Sequence, residues 1–133
     1  SHYGIVGLRV AAVEAIGKVG GKGLDSVGLI SPLLRDANEK VREAAVKALG
    51  EIAKKGSQAD VQLLELSLKD KDGKVRRAAV EAIGEKGSQA GKWLLRPLLQ
   101  DKDSDVRQAA VKALDAVLRP VEPKTEQGRR NSR

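Results

Sequence analysis

Apolar residues recur at helical spacing in four segments of similar sequence. The segments are LRVAAVEAIG at 8–17, VREAAVKALG at 41–50, VRRAAVEAIG at 75–84 and VRQAAVKALD at 106–115. Their starts are 33, 34 and 31 residues apart. In the second segment Val41, Ala45 and Leu49 follow i, i+4, i+8 spacing, which places them on one face of a helix. The pattern therefore predicts one helix that occurs four times at a nearly constant period, as in a repeat protein.

A second set of apolar segments lies between the members of the first. These segments read LISPLLRD at 29–36, LLELSLKD at 63–70 and LLRPLLQD at 94–101. Each predicts a first helix that precedes the second helix of its unit. The leucines at 63, 64, 66 and 68 cover more than one helix face, so we expect neighbours to cover this helix on both sides. Pro32 and Pro97 lie inside two of the first helices and predict a bend there.

The predicted helix ends carry the residue types that such ends favour. Asn38, Asp72 and Asp103 each precede the valine of a second helix by three residues, where a side-chain oxygen accepts an unpaired backbone N–H. Glycines follow the apolar segments and predict helix ends; they are Gly50, Gly56, Gly84 and Gly87.

The order of the segments defines the units. The chain opens on a second helix, and three full helix pairs follow at about 24–55, 56–86 and 87–118, so residues 1–118 form one repeat domain. Residues 119–133 contain two prolines and few apolar residues, and predict a disordered basic tail.

The first unit lacks a first helix. We therefore expect its apolar residues to face a preceding unit of a longer array, or to form a self-association surface. These residues are Ile5, Val6, Val10 and Val13.

The repeated motif has a recognisable form. D-x-[DN]-x-x-V-R-x-A-A-V-x-A-[IL]-G occurs at 36–50 and 70–84, and at 101–115 with Asp115 in place of the last glycine. It resembles the HEAT repeat family, and specifically the short HEAT-like repeats also found in phycobilisome lyases. The resemblance implies an all-α fold, a right-handed α-solenoid of antiparallel helix pairs with about three and a half repeats, whose second helices line a concave face.

The resemblance also assigns a structural role to one aspartate and one arginine of each unit. In HEAT-like repeats they form a ladder of ion pairs between adjacent units. The planar guanidinium of arginine suits such a partly buried contact, because it can donate two parallel hydrogen bonds to one carboxylate. The matching residues here are Asp36, Arg42, Asp70, Arg76, Asp101 and Arg107.

The same acidic positions resemble the opening of a calcium loop, but the spacing excludes one. An EF-hand loop needs an oxygen ligand at position 5 and glycine at position 6. Counted from Asp70, these positions hold Lys74 and Val75. The single histidine, His2, is at the N-terminus and the chain has no cysteine. We therefore expect no metal site, no cofactor and no enzymatic activity.

Charge and composition indicate how the core is built and in which compartment the protein is found. The 133 residues carry a net charge of +7, of which residues 119–133 contribute five basic against two acidic side chains. With no Phe, Cys or Met, the core must consist of Ala, Val, Leu and Ile. The apolar runs are too short to span a membrane, and the absence of cysteine is compatible with a reducing compartment. We expect an intracellular, cytoplasmic protein.

The variable positions of the second helices are the candidates for partner binding. One position reads Glu14, Lys47, Glu81 and Lys112 in successive units, and we expect opposite charges to pair between neighbouring helices. The other reads Val10, Glu43, Arg77 and Gln108. Mixed charge suits a protein surface better than nucleic acid, which favours one sign. Trp93, the single tryptophan, is either a packing residue or an anchor for a partner.

The sequence thus predicts a non-catalytic scaffold that binds a protein partner through the concave face or the ridge loops. Two alternatives remain. One is a nucleic-acid-binding array that uses Lys74, Arg77, Lys102 and the basic tail. The other, implied only by the resemblance to phycobilisome lyases, is an accessory subunit that acts on a tetrapyrrole.

Overall fold

A computed structural model describes residues 2–19, 25–54, 61–87 and 89–118. These residues form seven α-helices and three 3₁₀ segments, with no strand among them. The helices are α1 (His2–Val19), α2 (Ser26–Ile30), α3 (Glu39–Lys54), α4 (Val61–Glu65), α5 (Gly73–Lys86), α6 (Gln89–Leu95) and α7 (Ser104–Leu118). The 3₁₀ segments are Ser31–Arg35, Leu66–Lys69 and Arg96–Gln100. The predicted all-α fold is confirmed, whereas the predicted tail at 119–133 lies outside the described residues.

The helices form a solenoid of stacked pairs. The second helices α1, α3, α5 and α7 each pack against the next one along the chain. Each of the last three also packs against the first helix of its own unit, mainly through the 3₁₀ segment of that helix. One continuous core results, in which Val41, Val75 and Val106 are at most 1% exposed. The first helices contribute Ile30, Leu64 and Leu95, which are at most 3% exposed.

The first helices change from α to 3₁₀ geometry halfway along. Pro32 and Pro97 are near the start of two of the 3₁₀ segments, but Leu66–Lys69 has the same geometry without proline. Proline is therefore not required for the change in geometry. Leu66 is 54% exposed, so the prediction that neighbours cover this helix on both sides is wrong at that residue. The 3₁₀ turn directs Leu66 outward, as it does the two prolines at the equivalent positions.

The predicted caps of the second helices are confirmed. The Oδ1 atoms of Asn38, Asp72 and Asp103 each accept a hydrogen bond of 2.8 Å from the backbone N–H two residues later. At the other end, Gly87 adopts φ 64°, a left-handed conformation that ends α5.

The prediction that Gly50 and Gly84 end helices is wrong, and Gly56 lies outside the described residues. Gly50 lies inside α3 and Gly84 inside α5, where each faces an alanine of the next second helix. An ideal Cβ on Gly50 would lie 3.2 Å from the Cβ of Ala82. Gly17 in α1 faces Ala48 in the same way, at 2.9 Å. These glycines let neighbouring helices approach closely.

The N-terminal helix differs from the prediction in which side it presents outward. Val6 and Val13 are 7% and 0% exposed, because they belong to the core. Val10 packs partly against the same core, so of the four apolar residues named above only Ile5 is exposed. Among the helices that the structure describes, none combines the length and apolar composition needed to cross a bilayer.

Candidate functional site

A chain of hydrogen bonds between arginine and aspartate links successive units along the solenoid. Arg42 in α3 binds the carboxylate of Asp70 in the next unit through two bonds, Nε to Oδ2 at 2.8 Å and Nη2 to Oδ1 at 3.2 Å. The Arg42 and Asp70 side chains are only 8% and 11% exposed. A paired, bidentate geometry of this kind is the strong form of an ion pair.

Arg76 repeats this arrangement one unit later. Its Nε and Nη2 atoms donate to the carboxylate of Asp101 at 2.9 and 3.1 Å, and the two side chains are 7% and 8% exposed. Each arginine also reaches back into its own unit. The Nη1 atoms of Arg42 and Arg76 donate at 2.8 Å to the backbone carbonyls of Asp36 and Asp70. Arginine thus joins the two first helices on either side of it.

The ends of the ladder are different from its middle. Arg107 donates to the carbonyl of Asp101 at 2.7 Å, but it forms no ion pair with a described residue. At the other end, Arg9 donates to Asp36 through Nη2 alone, at 3.2 Å. Arg9 is a ladder residue that the sequence analysis did not single out. The alignment of 8–17 with 41–50 contains the signal, because it places Arg9 opposite Arg42.

The two buried ladder carboxylates, Asp70 and Asp101, accept hydrogen bonds from the protein on both of their oxygens. Besides its arginine, Asp70 accepts a 2.9 Å bond from the backbone N–H of Asp72, and Asp101 accepts one from that of Asp103. These contacts use the oxygens that a calcium loop would need as ligands. Among the described residues there is no group of three or more His, Cys, Asp or Glu side chains placed to hold a metal ion.

The ladder perturbs the protonation of two of its members. Burial by itself raises the pKa of Asp101, but the hydrogen bond and charge of Arg76 and the N–H of Asp103 outweigh burial, so the pKa lies below its ordinary value. The hydrogen bond to Asp70 is the largest influence on Arg42 and raises the pKa of that guanidinium. Both groups therefore stay charged over the whole physiological range.

Four of the candidate partner-binding residues line one groove. This open groove of about 410 Å³ lies between α5 and α7, and its candidate residues are Arg77, Glu81, Gln108 and Lys112. The sequence analysis did not single out two further carboxylates in its wall, Glu85 and Asp105.

Two other candidates, Glu43 and Lys47, line a second groove of about 360 Å³ between α1 and α3. Glu14, Lys18 and Glu51 complete the charged wall of this groove. The two grooves lie at equivalent places in the repeat, between consecutive second helices.

The ion pairs at these positions are within helices, which corrects the expectation of pairing between neighbouring helices. Lys47 binds Glu43 at 3.0 Å, and Arg77 binds Glu81 at 2.9 Å. Residues four apart on one helix have Cβ atoms about 5–6 Å apart, whereas neighbouring helix axes are about 8–10 Å apart. The shorter reach favours the partner on the same helix.

Trp93 lies in a first helix, α6, and lines neither groove. Its side chain is 66% exposed, so it is not a core residue. The guanidinium of Arg96 stacks over the ring at 4.9 Å from its centroid, within the range of a cation–π contact.

The repeat architecture agrees with a comparison to known families. The family model for HEAT repeats matches the chain twice, over residues 7–72 and over residues 61–125. No curated protein matches the chain at a significant level. The two matches together span most of the 133 residues, and both include the stacked helix pairs and the arginine–aspartate ladder. The chain belongs to the HEAT repeat family.

Proposed function

We propose that this protein is a non-catalytic scaffold that binds a partner protein through the grooves between its second helices. HEAT repeats generally serve as protein-interaction scaffolds. The observation that carries the proposal is the convergence of Arg77 and Glu81 from α5 with Gln108 and Lys112 from α7 on one open groove. These are the positions at which the repeat motif varies, whereas the core and ladder positions stay nearly constant.

The charge of the grooves indicates the kind of partner. The α5–α7 groove contains three carboxylates and two cations among its lining residues. The α1–α3 groove contains the same numbers. A surface of closely mixed charge complements another protein surface of mixed charge and selects against partners that carry one sign only.

The same balance disfavours the nucleic-acid alternative. A phosphate-binding groove needs cations that are free to replace counterions. Arg77, one of the two cations that line the α5–α7 groove, donates a hydrogen bond to Glu81 at 2.9 Å. Lys74 and Lys102 are exposed, but Lys74 lies in the first turn of α5, Lys102 lies just before α7, and neither lines the α5–α7 or the α1–α3 groove.

A photocrosslinking experiment tests the proposal. A photoreactive amino acid replaces Gln108 in the groove or, as a matched control, Gln100, an exposed glutamine of a 3₁₀ segment that lines neither groove. In cells of the source organism, position 108 is expected to give discrete crosslinked proteins that position 100 does not give. Glu81→Lys is expected to reduce the yield, because it breaks the ion pair with Arg77 and changes the groove from three carboxylates and two cations to two carboxylates and three cations.

Two outcomes contradict the proposal. One is the same set of products from both positions. The other is loss of the products on nuclease treatment, together with tight binding of the purified chain to DNA or RNA at 50 mM salt. A steep loss of that affinity with added salt would assign the surface to a nucleic acid.

A further inference from the structure

The two charged grooves repeat with a period of two units. Glu14 on α1 and Lys47 on α3 line the α1–α3 groove, and Glu81 on α5 and Lys112 on α7 line the α5–α7 groove. All four residues occupy one position of the motif, the x of A-A-V-x-A. Each groove therefore has a carboxylate on the wall formed by its earlier helix and an ammonium group on the wall formed by its later helix.

The space between α3 and α5, which separates the two grooves, has the opposite arrangement. There Lys47 is on the earlier helix and Glu81 on the later one. A bound segment with a cation towards the earlier helix and a carboxylate towards the later one meets opposite charges in both grooves. In the space between them the same segment meets like charges. The charges of the chain therefore distinguish the two grooves from the position that separates them.

The approach of the second helices follows the same period. An ideal Cβ on Gly17 would lie 2.9 Å from the Cβ of Ala48, and one on Gly84 would lie 2.5 Å from that of Ala113. The corresponding distance for Gly50, between α3 and α5, is larger, at 3.2 Å. The two closer glycine–alanine contacts are part of the lining of the two grooves. Helix spacing and charge thus both repeat at every second unit.

The charges of both pairs are accessible to a partner. Glu14 and Lys112 form no ion pair with any other residue that the structure describes. Lys47 and Glu81 are paired along their own helices, but their side chains are 66% and 55% exposed. Exposed pairs of this kind are weak, so a charge of the partner can compete for either member.

We propose that the partner protein carries one short charged segment twice in tandem, and that one copy occupies each groove. This arrangement rests on the proposed use of the grooves for protein binding. Each copy presents a basic side chain to the glutamate of its groove and an acidic side chain to the lysine. In an extended segment that runs along the groove, successive side chains point to opposite sides. Adjacent basic and acidic residues therefore match both walls.

A tandem arrangement fits the grooves better than a two-fold symmetric dimer does. The two grooves are related by the repeat of the solenoid, so they run in the same direction. The two copies of a segment in a two-fold dimer run in opposite directions. Only one of those copies would meet opposite charges on both walls.

The separation of the grooves sets the distance between the two copies. Neighbouring helix axes are about 8–10 Å apart, so grooves two helices apart are separated by about 16–20 Å. A flexible linker of about 12 residues has a root-mean-square length of this size. We therefore expect about this many residues, or more, between the two copies.

Photocrosslinking from both grooves tests the arrangement. A photoreactive amino acid replaces Glu43 in one full-length chain and Gln108 in another. These positions are equivalent in the motif and line the α1–α3 and the α5–α7 groove. After crosslinking in cells of the source organism, mass spectrometry identifies the attached peptides. We expect one partner protein, attached through two separate segments that match each other in sequence and contain adjacent basic and acidic residues.

The crosslinked segment, made as a synthetic peptide, is then titrated into the purified chain in a calorimeter. We expect two sites per chain, and one site after either Glu14→Lys or Glu81→Lys. Two copies joined by a Gly/Ser linker of about 12 residues should bind at least a hundredfold more tightly than one copy, and either variant should abolish this gain. The matched control is Glu65→Lys, which changes an exposed glutamate of α4 that lines neither groove and should leave binding unchanged. Circular dichroism checks the folding of each variant.

Failure of the tandem arrangement and failure of the proposed function give different results. Discrete crosslinks to different proteins, to unrelated segments, to a single segment or from one position only would overturn the tandem arrangement and leave binding in a groove standing. One site or three sites per chain, or an equal effect of Glu65→Lys, would do the same. Absence of discrete crosslinks from both positions would overturn both proposals.

Discussion

Gly84 in α5 lies so close to Ala113 in α7 that an ideal Cβ on the glycine would be 2.5 Å from the alanine Cβ and 3.2 Å from its Cα. The same relationship joins Gly17 to Ala48 and, less tightly, Gly50 to Ala82. Each contact joins one second helix to the next. Glycine at this position of the motif therefore sets the distance between neighbouring second helices.

Gly84→Ala is expected to destabilise the protein although alanine is the better helix former. Inside a helix, alanine is more favourable than glycine by about 1 kcal/mol of helix propensity. The added methyl group meets Ala113 at its Cβ, which cannot move without its backbone, so the helices must separate. Overpacking of this kind costs about 1–3 kcal/mol or more. Urea unfolding followed by circular dichroism should show a lower midpoint than for the unchanged protein.

Gly7→Ala is the control for that experiment. Gly7 is an exposed residue inside α1, and a Cβ there meets nothing within 4 Å. The substitution should raise stability by about 0.5–1 kcal/mol, because only helix propensity changes. If both glycine variants moved the midpoint in the same direction, the close approach of α5 and α7 would not be the cause.

Asp101→Ala is expected to lower the free energy of unfolding more than the loss of an exposed ion pair such as Arg77–Glu81 does. It leaves the guanidinium of Arg76, 7% exposed, without its carboxylate. Breaking a buried pair by removing one partner costs about 3–5 kcal/mol, because a charge remains buried without compensation. Thermal or urea unfolding measures the difference.

Glu81→Ala is the matched control for Asp101→Ala, because Arg77 and Glu81 form a pair at the same 2.9 Å distance with both side chains 55% exposed. Exposed pairs of this type contribute about 0–1 kcal/mol. Similar losses in the two variants would mean that burial of the ladder contributes nothing.

Much of this architecture can be predicted from the sequence because one local pattern is repeated. Val41, Val75 and Val106 recur at one position of the motif and occupy one position in the core. Capping is equally local, since Asp72 needs only the N–H of Lys74, two residues away. A contact that depends on nearby residues in the sequence is visible in the sequence.

Features that depend on a neighbouring unit could not be predicted in this way. Glycine often follows the end of a helix, so the sequence predicts a helix end at Gly84, but the role of this residue is set by its contact with Ala113 in the next unit. The 3₁₀ turn at Leu66 contains no proline and has no local signal. The sequence leaves Trp93 open between a packing residue and an anchor for a partner, and its 66% exposure depends on the arrangement of the first helices rather than on its local sequence.

Asp72→Ala is expected to lower stability by about 0.5–2 kcal/mol, since the side chain caps α5 by accepting from the N–H of Lys74 at 2.8 Å. Asp72→Asn keeps the acceptor and should cost only a few tenths of that. Unfolding midpoints of the two variants make the comparison. Equal losses in both would point to the negative charge at the start of α5 rather than to the hydrogen bond.

The ladder should also make stability depend on pH in the acid range. The pKa of Asp101 is lower in the folded protein than its ordinary value, so the ionised carboxylate favours the folded state. This contribution is fully present above the unfolded-state pKa of about 3.9 and is lost as the pH falls through the lower folded-state pKa. Asp101→Asn cannot titrate. The stability advantage of the unchanged protein over this variant, measured by urea unfolding, should be constant from pH 7 to about pH 5 and should shrink below about pH 4.

Gly7→Ala introduces no titrating group, so its difference from the unchanged protein should not vary with pH. An advantage over Asp101→Asn that grew as the pH fell would have the wrong sign for a carboxylate that Arg76 holds ionised.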